Sequence, residues 1–409
     1  MDSITHIVLG AACGEVVLGK KLGNRAMIWG GIGGSIPDFD VLATFIMDPL
    51  SSLAFHRGPM HSLLFVCLIP FLLAPLLKYL YNKEWHQKLA WRITGFTIGV
   101  ILYIAAATIL SLLAGLLTSS FPWLTILILL AIGIYFFYIR YKQIFQNETH
   151  FEIASIKEWI ILFFVSATFH LVLDTLTTFG TRLYWPFSNT RVSISSIAIA
   201  DPLYTIPFAL FILGAAMLPR INSKRRMYTY LGLAISSMYL ILTFINKKNI
   251  DTIFEKSLQK ENITFQSYIT VPTILNNLLW YGIAKQDSNY VYGYYSIMDA
   301  EPVFKNLASI RGNHSLLDSF QGQEIKQVLP WFSNGYYSVL DKGEGCYLYS
   351  DLRFGSVNGN MESDKNHIFK FDLKEQNGIL EMQEHQASPE NRGEDIEWFV
   401  KRIFGVVNH

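Results

Sequence analysis

The chain has 409 residues, 51% of them hydrophobic and only 16% charged, with a mean hydropathy of +0.29, which excludes an ordinary soluble protein because those carry charge on about a quarter of their residues. The formal net charge of +1 hides two unlike halves, with 17 Lys and Arg against 11 Asp and Glu up to Asn246 and 16 against 21 beyond it. Neither half has the clustered basic face that a nucleic acid needs, so no nucleic-acid partner is expected, and Cys13, Cys67 and Cys346 lie too far apart for a CxxC motif, a disulfide scaffold or an iron–sulfur cluster.

In chain order, the first two apolar stretches, 3–19 and 26–47, are short or broken by glycine. Gly10/Gly14, Gly19/Gly23 and Gly30/Gly34 are spaced so that helix backbones can approach closely. The opening MDSITHIVLG lacks the positive leader of a cleavable signal, so Asp2 and His6 are expected to remain in the mature chain. Six further stretches, 62–81, 94–117, 122–139, 158–179, 203–219 and 228–246, are each apolar for about the length a membrane helix needs. Lys20, Lys21 and Arg25, then Lys78, Lys83, Lys88 and Arg92, then Arg140, Lys142 and Lys157, then Arg220, Lys224, Arg225 and Arg226 fall in alternate loops. Short loops rich in such residues stay in the cytoplasm. Eight crossings then put both termini, and the whole of 247–409, outside it; Lys247 and Lys248 argue mildly the other way. That last part mixes charges, turns such as Asp287-Ser288-Asn289 and Asn358-Gly359-Asn360, and aromatic β-type runs at Tyr290–Ile297, Tyr336–Leu340 and His367–Phe371. The predicted architecture is mainly α: a transmembrane helical bundle over 1–246, followed by a small soluble α+β domain over 247–409.

Ionisable groups within apolar segments cost at least about 2.5 kcal/mol each on insertion scales, which makes them candidates for function. His170 and Asp174 are four apart on one helix face, and Asp2 and His6 repeat the spacing in reverse order. Pro37-Asp38-Phe39-Asp40 follows a glycine run that Pro37 prevents from continuing as helix. His56-Arg57-Gly58-Pro59-Met60-His61 then sets two imidazoles and a guanidinium just before a membrane stretch. Imidazole nitrogens and carboxylate oxygens are what zinc, manganese or iron bind. His6, Asp38, Asp40, His56, His61, His170 and Asp174 therefore read as ligands for one or two divalent ions. At about 1.5 Å per residue, Asp174 and His170 lie roughly 8 and 14 Å below the outer end of their helix, a depth that residues 38, 6 and 61 can reach from theirs. His86 and His150 fall on the opposite side and are excluded. Taken singly, each feature has a plainer reading: an interhelical ion pair, a turn, an interfacial basic loop.

Four ordered motifs, DSITHIVLGAACGE at 2–15, PDFD at 37–40, HRGPMHS at 56–62 and HLVLDTLTTFGTRLYWPFS at 170–188 followed by Asp201-Pro202, resemble the YdjM-like family of inner-membrane proteins. The resemblance implies a metal-dependent hydrolase in a bacterial inner membrane, and it implies Asp2, His6, Asp38, Asp40, His56, His61, His170 and Asp174 as functional, metal-site positions. Met60 departs from the family, which usually has Thr there, and so lacks a hydroxyl beside the second histidine. Stretches of the tail, VPTILNNLLWYGIAK at 271–285, GYYS at 293–296 and DLRFG at 351–355, resemble longer members.

The expected activity is hydrolysis of a phosphoester or related ester of an amphiphilic, lipid or lipid-linked substrate. Arg57, Asp38 and His61 are the expected catalytic residues, zinc the first choice of metal, and Arg57, Arg182, Trp185 and Arg191, with Tyr184, the expected head-group contacts. As plain membrane anchors, the residues of that loop fit equally well. The rival reading is a membrane sensor or partner-binding protein whose metal is structural; a transporter is disfavoured because no two halves show matching broken helices. The oligomeric state is not legible.

Overall fold

A long apolar run in a bilayer can satisfy its backbone only as helix, and the bundle is built that way. The computed structural model describes residues 1–84, 88–118, 122–142, 153–320, 324–356, 358–361, 367–376, 378–383 and 392–406; His86 and His150 lie outside them. Helices α1 (Ser3–Leu22) and α2 (Asn24–Ser35) form a hairpin, followed by a 3₁₀ helix Pro37–Phe45, α3 (Pro49–Phe55) and a 3₁₀ turn Pro59–His61. Then come α4 (Leu63–Asn82), α5 (Leu89–Thr118), α6 (Trp123–Tyr141), α7 (Ile156–Thr175), α8 (Pro202–Met217) and α9 (Ser223–Lys260). Six helices among the described residues are long and apolar enough to cross a membrane: α1, α4, α5, α6, α7 and α9.

Four stretches differ from their sequence reading, each for a local reason. The one at 26–47 is not a single crossing: α2 has 12 residues and stops before Pro37, and the chain tightens into the 3₁₀ helix. The one at 158–179 ends as helix at Thr175, where Leu176 caps it. The one at 203–219 is the 16-residue α8, capped by Asp201, whose carboxylate accepts from the Leu203 and Tyr204 N–H groups. The one at 228–246 continues to Lys260, because Ile250, Phe254 and Leu258 form an i, i+4 stripe packed on a sheet rather than in lipid. Asn246 and Lys247 therefore lie inside one helix.

The α1–α2 hairpin depends on glycine. A Cβ on Gly30 would stand 2.2 Å from the Gly10 carbonyl oxygen, and one on Gly14 2.0 Å from that of Ala26, so any larger residue forces the helices apart. Basic residues collect at the closed end of this hairpin. There Arg225 of α9 donates from Nε and Nη2 to Glu15 of α1 (2.7 and 2.5 Å) and from Nη1 to Asn24 (2.6 Å), while Lys21 pairs with Glu158 (2.8 Å). At the opposite end α1, α4 and α8 begin and α7 finishes, tied by Asp2 N–H on Ile199 O (2.8 Å) and Leu63 N–H on Leu183 O (3.0 Å).

Beyond α9 lie two antiparallel four-stranded meanders, β1 (Ser267–Pro272), β2 (Leu279–Gln286), β3 (Asn289–Ser296), β4 (Lys305–Arg311), and β5 (Tyr337–Gly343), β6 (Cys346–Ser356), β7 (His367–Gln376), β8 (Ile379–Gln383). Helices α10 (Ser315–Asp318) and α11 (Glu324–Phe332) connect the sheets, and α12 (Arg392–Ile403) follows them. The three aromatic runs read as β-type fall on β3, β5 and β7. Alternate tyrosines of β2 and β3, Tyr281, Tyr292 and Tyr294, join Tyr336 and Leu352 in a shared core. This α+β part seats on the end of the bundle where α1 begins: Leu50 of α3 packs with Leu317, Ile325 and Leu329, Trp331 Nε1 donates to Asn189 O (3.0 Å), and Asn277 Nδ2 to Ser196 O (2.9 Å).

Candidate metal centre

The converging ends of α1, α2 and α7 deliver the site. His6 lies one turn into α1, and His170 and Asp174 lie one turn apart near the end of α7, all buried. The tight hairpin sets Gly34 O against α7, where His170 Nδ1 donates to it at 2.6 Å. A carbonyl can only accept, so this bond fixes the tautomer and leaves the His170 Nε2 lone pair free. That nitrogen faces Asp38 Oδ1 (3.7 Å) and Asp174 Oδ2 (3.5 Å), while His6 Nε2 lies 3.1 Å from Asp174 Oδ1 and its ring stacks on His170 at 3.6 Å. Ligand atoms of His6, Asp38, His170 and Asp174 all fall within 4.8 Å of one another. The Met1 amino group also bonds Asp174 Oδ1.

His61, fully buried at the end of the second 3₁₀ turn, joins them: its Nε2 lies 3.5 Å from Asp38 Oδ1 and 3.4 Å from Asp174 Oδ2, and its Nδ1 is 3.1 Å from Asp40 Oδ2. Asp40 stands one layer back. It accepts from the Arg57 N–H (2.7 Å) and lies 3.0 Å from His56 Nδ1, so it orients both histidines of the HRGPMH loop. Asp38 and Asp40 sit in the connection between α2 and α4, outside the crossing helices. Burial pushes their carboxyls up, but the His61 imidazole close against both and the His56 ring beside Asp40 outweigh it. Asp38 is held at about 2 and Asp40 below the usual carboxylate range. Asp2 is elsewhere: its carboxylate caps α1, accepting from Thr5 N (3.0 Å) and Thr5 Oγ1 (2.6 Å).

The donor set fits a divalent cation. Asp174 Oδ2, His170 Nε2 and His61 Nε2 are buried without a hydrogen-bond partner among the described residues, and bare carboxylate oxygens and lone pairs facing one another are costly unless a cation lies between them. Metal–ligand bonds of about 2 Å place the ligands of one ion about 3–4 Å apart, and the contacts of 3.1 to 3.7 Å fall in that interval.

Arg57, 5% exposed, closes one side of the site. It takes a left-handed conformation (φ 53°), with Nε 3.5 Å from Asp174 Oδ2, Nη1 donating to Thr177 Oγ1 (3.2 Å) and its guanidinium 5.0 Å from the Phe179 ring centre. A Cβ on Gly58 would overlap Arg182 Nη2, which donates instead to Ala54 O (2.6 Å). Arg191 stacks between Phe179 (4.5 Å) and Trp331 (4.6 Å), with Phe332 at 5.1 Å. Burial, and then the charges of Arg353, Arg182 and Arg57, push its guanidinium well below its ordinary value. Trp185 lies half-buried in the turn after Arg182, its N–H on Arg182 O (3.1 Å), and Tyr184 is exposed. Trp331 and Phe332 carry no local signal in the sequence, and Arg353, within the DLRFG stretch, has none that ties it to this site; only the fold brings them here.

None of the curated proteins and none of the solved structures matches the chain. The model of a family described as YdjM inner membrane protein matches residues 1–250, the part that holds α1 to α8, most of α9 and every residue of the candidate centre. The chain is thus a multi-pass inner-membrane protein and belongs to the YdjM inner membrane protein family.

Proposed function

We propose that this protein is a membrane-embedded, metal-dependent hydrolase acting on a phosphoester, or a related ester, of an amphiphilic lipid-type substrate, with its site and residues 247–409 on the extracytoplasmic side. The observation that carries the reading is Asp174 Oδ2, without a hydrogen-bond partner among the described residues, facing the His61 and His170 Nε2 atoms beside a buried arginine. One or two divalent ions, zinc first and manganese or iron as alternatives, would supply Lewis-acid charge at the ester. His6, Asp38, His61, His170 and Asp174 would hold them, with Asp40 and His56 fixing the His61 ring. Asp38 is the most open carboxylate of the set, its side chain 17% exposed, and it takes the proton released as water attacks. Asp38 then passes that proton to the leaving oxygen, while His61, between Asp38 and Asp174, would keep its Nε2 lone pair on the metal. Arg57 opposes the negative charge that grows on the ester oxygens.

The amphiphilic character rests on position. A cavity of about 430 Å³ is lined by Leu9, Cys13, Phe169, Leu173, Leu176 and Leu240, among others, and Leu173 and Leu176 flank Asp174 in sequence. An acyl chain lying there would bring its head group to the carboxylates. The loop bearing Arg182, Trp185 and Arg191 stands at the same end.

The test is a screen of phosphoester and carboxylic-ester lipids against the detergent-purified chain, with and without chelator. Chelator-sensitive turnover of at least one lipid is expected, and Arg57→Lys should keep its metal yet lose about 10²–10³ in rate, since lysine cannot reproduce the planar two-donor contact. A metal-loaded Arg57→Lys variant of unaltered rate would remove Arg57 from catalysis, and turnover indifferent to chelator would overturn the metal-dependent reading.

A further inference from the structure

Buried guanidinium groups normally meet a carboxylate, because an uncompensated internal charge costs several kcal/mol. Next to the candidate metal centre two half-buried arginines, each with buried N–H groups, do not. Arg191 gives one bond, from Nη1 to Phe179 O (3.4 Å), and its Nε and Nη2 are buried without an acceptor among the described residues. Those two N–H groups lie along one edge of the guanidinium, the fork that matches a carboxylate or phosphate two bonds at a time. Arg182 donates from its Nη atoms to Ala54 O and Asn189 Oδ1, and its Nε is likewise without an acceptor.

The nearby carboxylate does not relieve them. Asp351 of β6 is held by Arg353, whose Nε and Nη2 donate to it at 3.0 and 2.6 Å. Aromatic faces do the positioning instead. Trp331 and Phe332 at the end of α11 lie over Arg191, Trp331 also over Arg182 (5.2 Å), and Phe332 also over Arg353 (5.5 Å). Stacking on aromatic faces orients a guanidinium while leaving its edge donors free. Both Arg57 and Arg191 lie against the Phe179 ring, so their guanidinium carbons are no farther apart than the sum of 5.0 and 4.5 Å. An anion on the Arg191 edge would thus be close to one held at the metal centre.

We propose that Arg182 and Arg191, walled by Trp331 and Phe332, form an anion subsite beside the metal centre that takes a phosphate-class oxyanion of the substrate's head group, so that residues beyond α9 complete the substrate pocket. The subsite deepens the proposed function and rests on it for the word substrate. Its anion binding is independent of that reading, because the fork consists of guanidinium groups alone.

The experiment is calorimetric titration of the full chain in neutral detergent, with inorganic phosphate and pyrophosphate in one arm and mixed micelles of phosphatidate or phosphatidylcholine in the other. Wild-type protein should bind at least one phosphate-bearing probe, and Arg191→Gln should weaken that binding about tenfold to a hundredfold, the value of lost hydrogen bonds to a charged partner. Binding of the free anions identifies a phosphate of a soluble head group, and binding of phosphatidate alone a phosphate on its lipid; either supports the subsite if it needs Arg191. If Arg191→Gln does not fold, Arg191→Lys carries the comparison, and unchanged affinity in the variant that folds overturns the proposal. So does a wild-type chain that binds none of the probes. The same titration on His170→Ala, emptied of metal, separates the two claims. Binding that survives there belongs to the subsite, whereas binding lost with the metal places the anion on the metal centre and overturns the subsite while leaving the hydrolase reading intact.

Discussion

At the scale of single residues, the carboxylates around the candidate centre are placed for three different jobs. His6, Asp38, His61, His170 and Asp174 point at one another, while Asp40 faces the backbone N–H of Arg57 and the rings of His56 and His61, and Asp2 caps a helix. Spacing along the chain cannot separate these roles, because a ligand and the group that orients it are both carboxylates a residue or two from a turn. The roles predict different outcomes. Asp2→Ala should cost about 1 kcal/mol of stability, as lost helix caps do, and leave metal content unchanged, with Asp2→Asn restoring the stability. Asp40→Ala should weaken metal binding about 10- to 100-fold, the usual effect of removing a group that orients a ligand. Thermal melts and metal titrations of the two variants test this, and metal loss in Asp2→Ala would make that residue a ligand.

Among the elements, hydropathy locates the long lipid-facing helices well, since their signal is a simple run of apolar residues. It misplaces ends wherever the surroundings change. The polar end of α9 reads as soluble chain, yet it stays helical because Ile250, Phe254 and Leu258 exchange lipid for the face of the first sheet. Leu176 to Phe179 read as helix, yet they turn out towards Arg57 and Arg191. The glycines of α1 and α2 signal close packing, and that packing also shapes the site, because it puts Gly34 O on His170. Gly30→Val should therefore cost about 1–3 kcal/mol, the range for overpacking, and lower bound metal as well. Gly95→Ala in α5, where a Cβ meets nothing within 4 Å, should be neutral or slightly stabilising. Equal melting temperatures and equal metal content in the two would contradict the hairpin's role.

For the whole molecule, the bundle has two unlike ends: one carries the basic loops, the other the candidate centre beneath the α+β part. Lys247, which argues against an outside tail, is held within the fold by Asp251 (2.6 Å) and Thr270 (2.9 Å), so it is a weak guide to orientation. In a background free of Cys13, Cys67 and Cys346, a cysteine at Ser188 should react with an impermeant thiol reagent on spheroplasts and one at Lys224 should not; the reverse pattern would put the site in the cytoplasm. Gln87, on the basic side by sequence, lies outside the described residues. That the α+β part covers the site is the feature least legible in the sequence, because Trp331 and Arg353 meet Arg191 across some 140 residues or more without a shared motif. The most direct measurement of the central claim is elemental analysis of the detergent-purified chain beside His170→Ala and Asp38→Ala. One or two equivalents of zinc, manganese or iron in the wild type, and substantially less in both variants, is the predicted result; wild-type protein without bound metal, or equal content in all three, would contradict it.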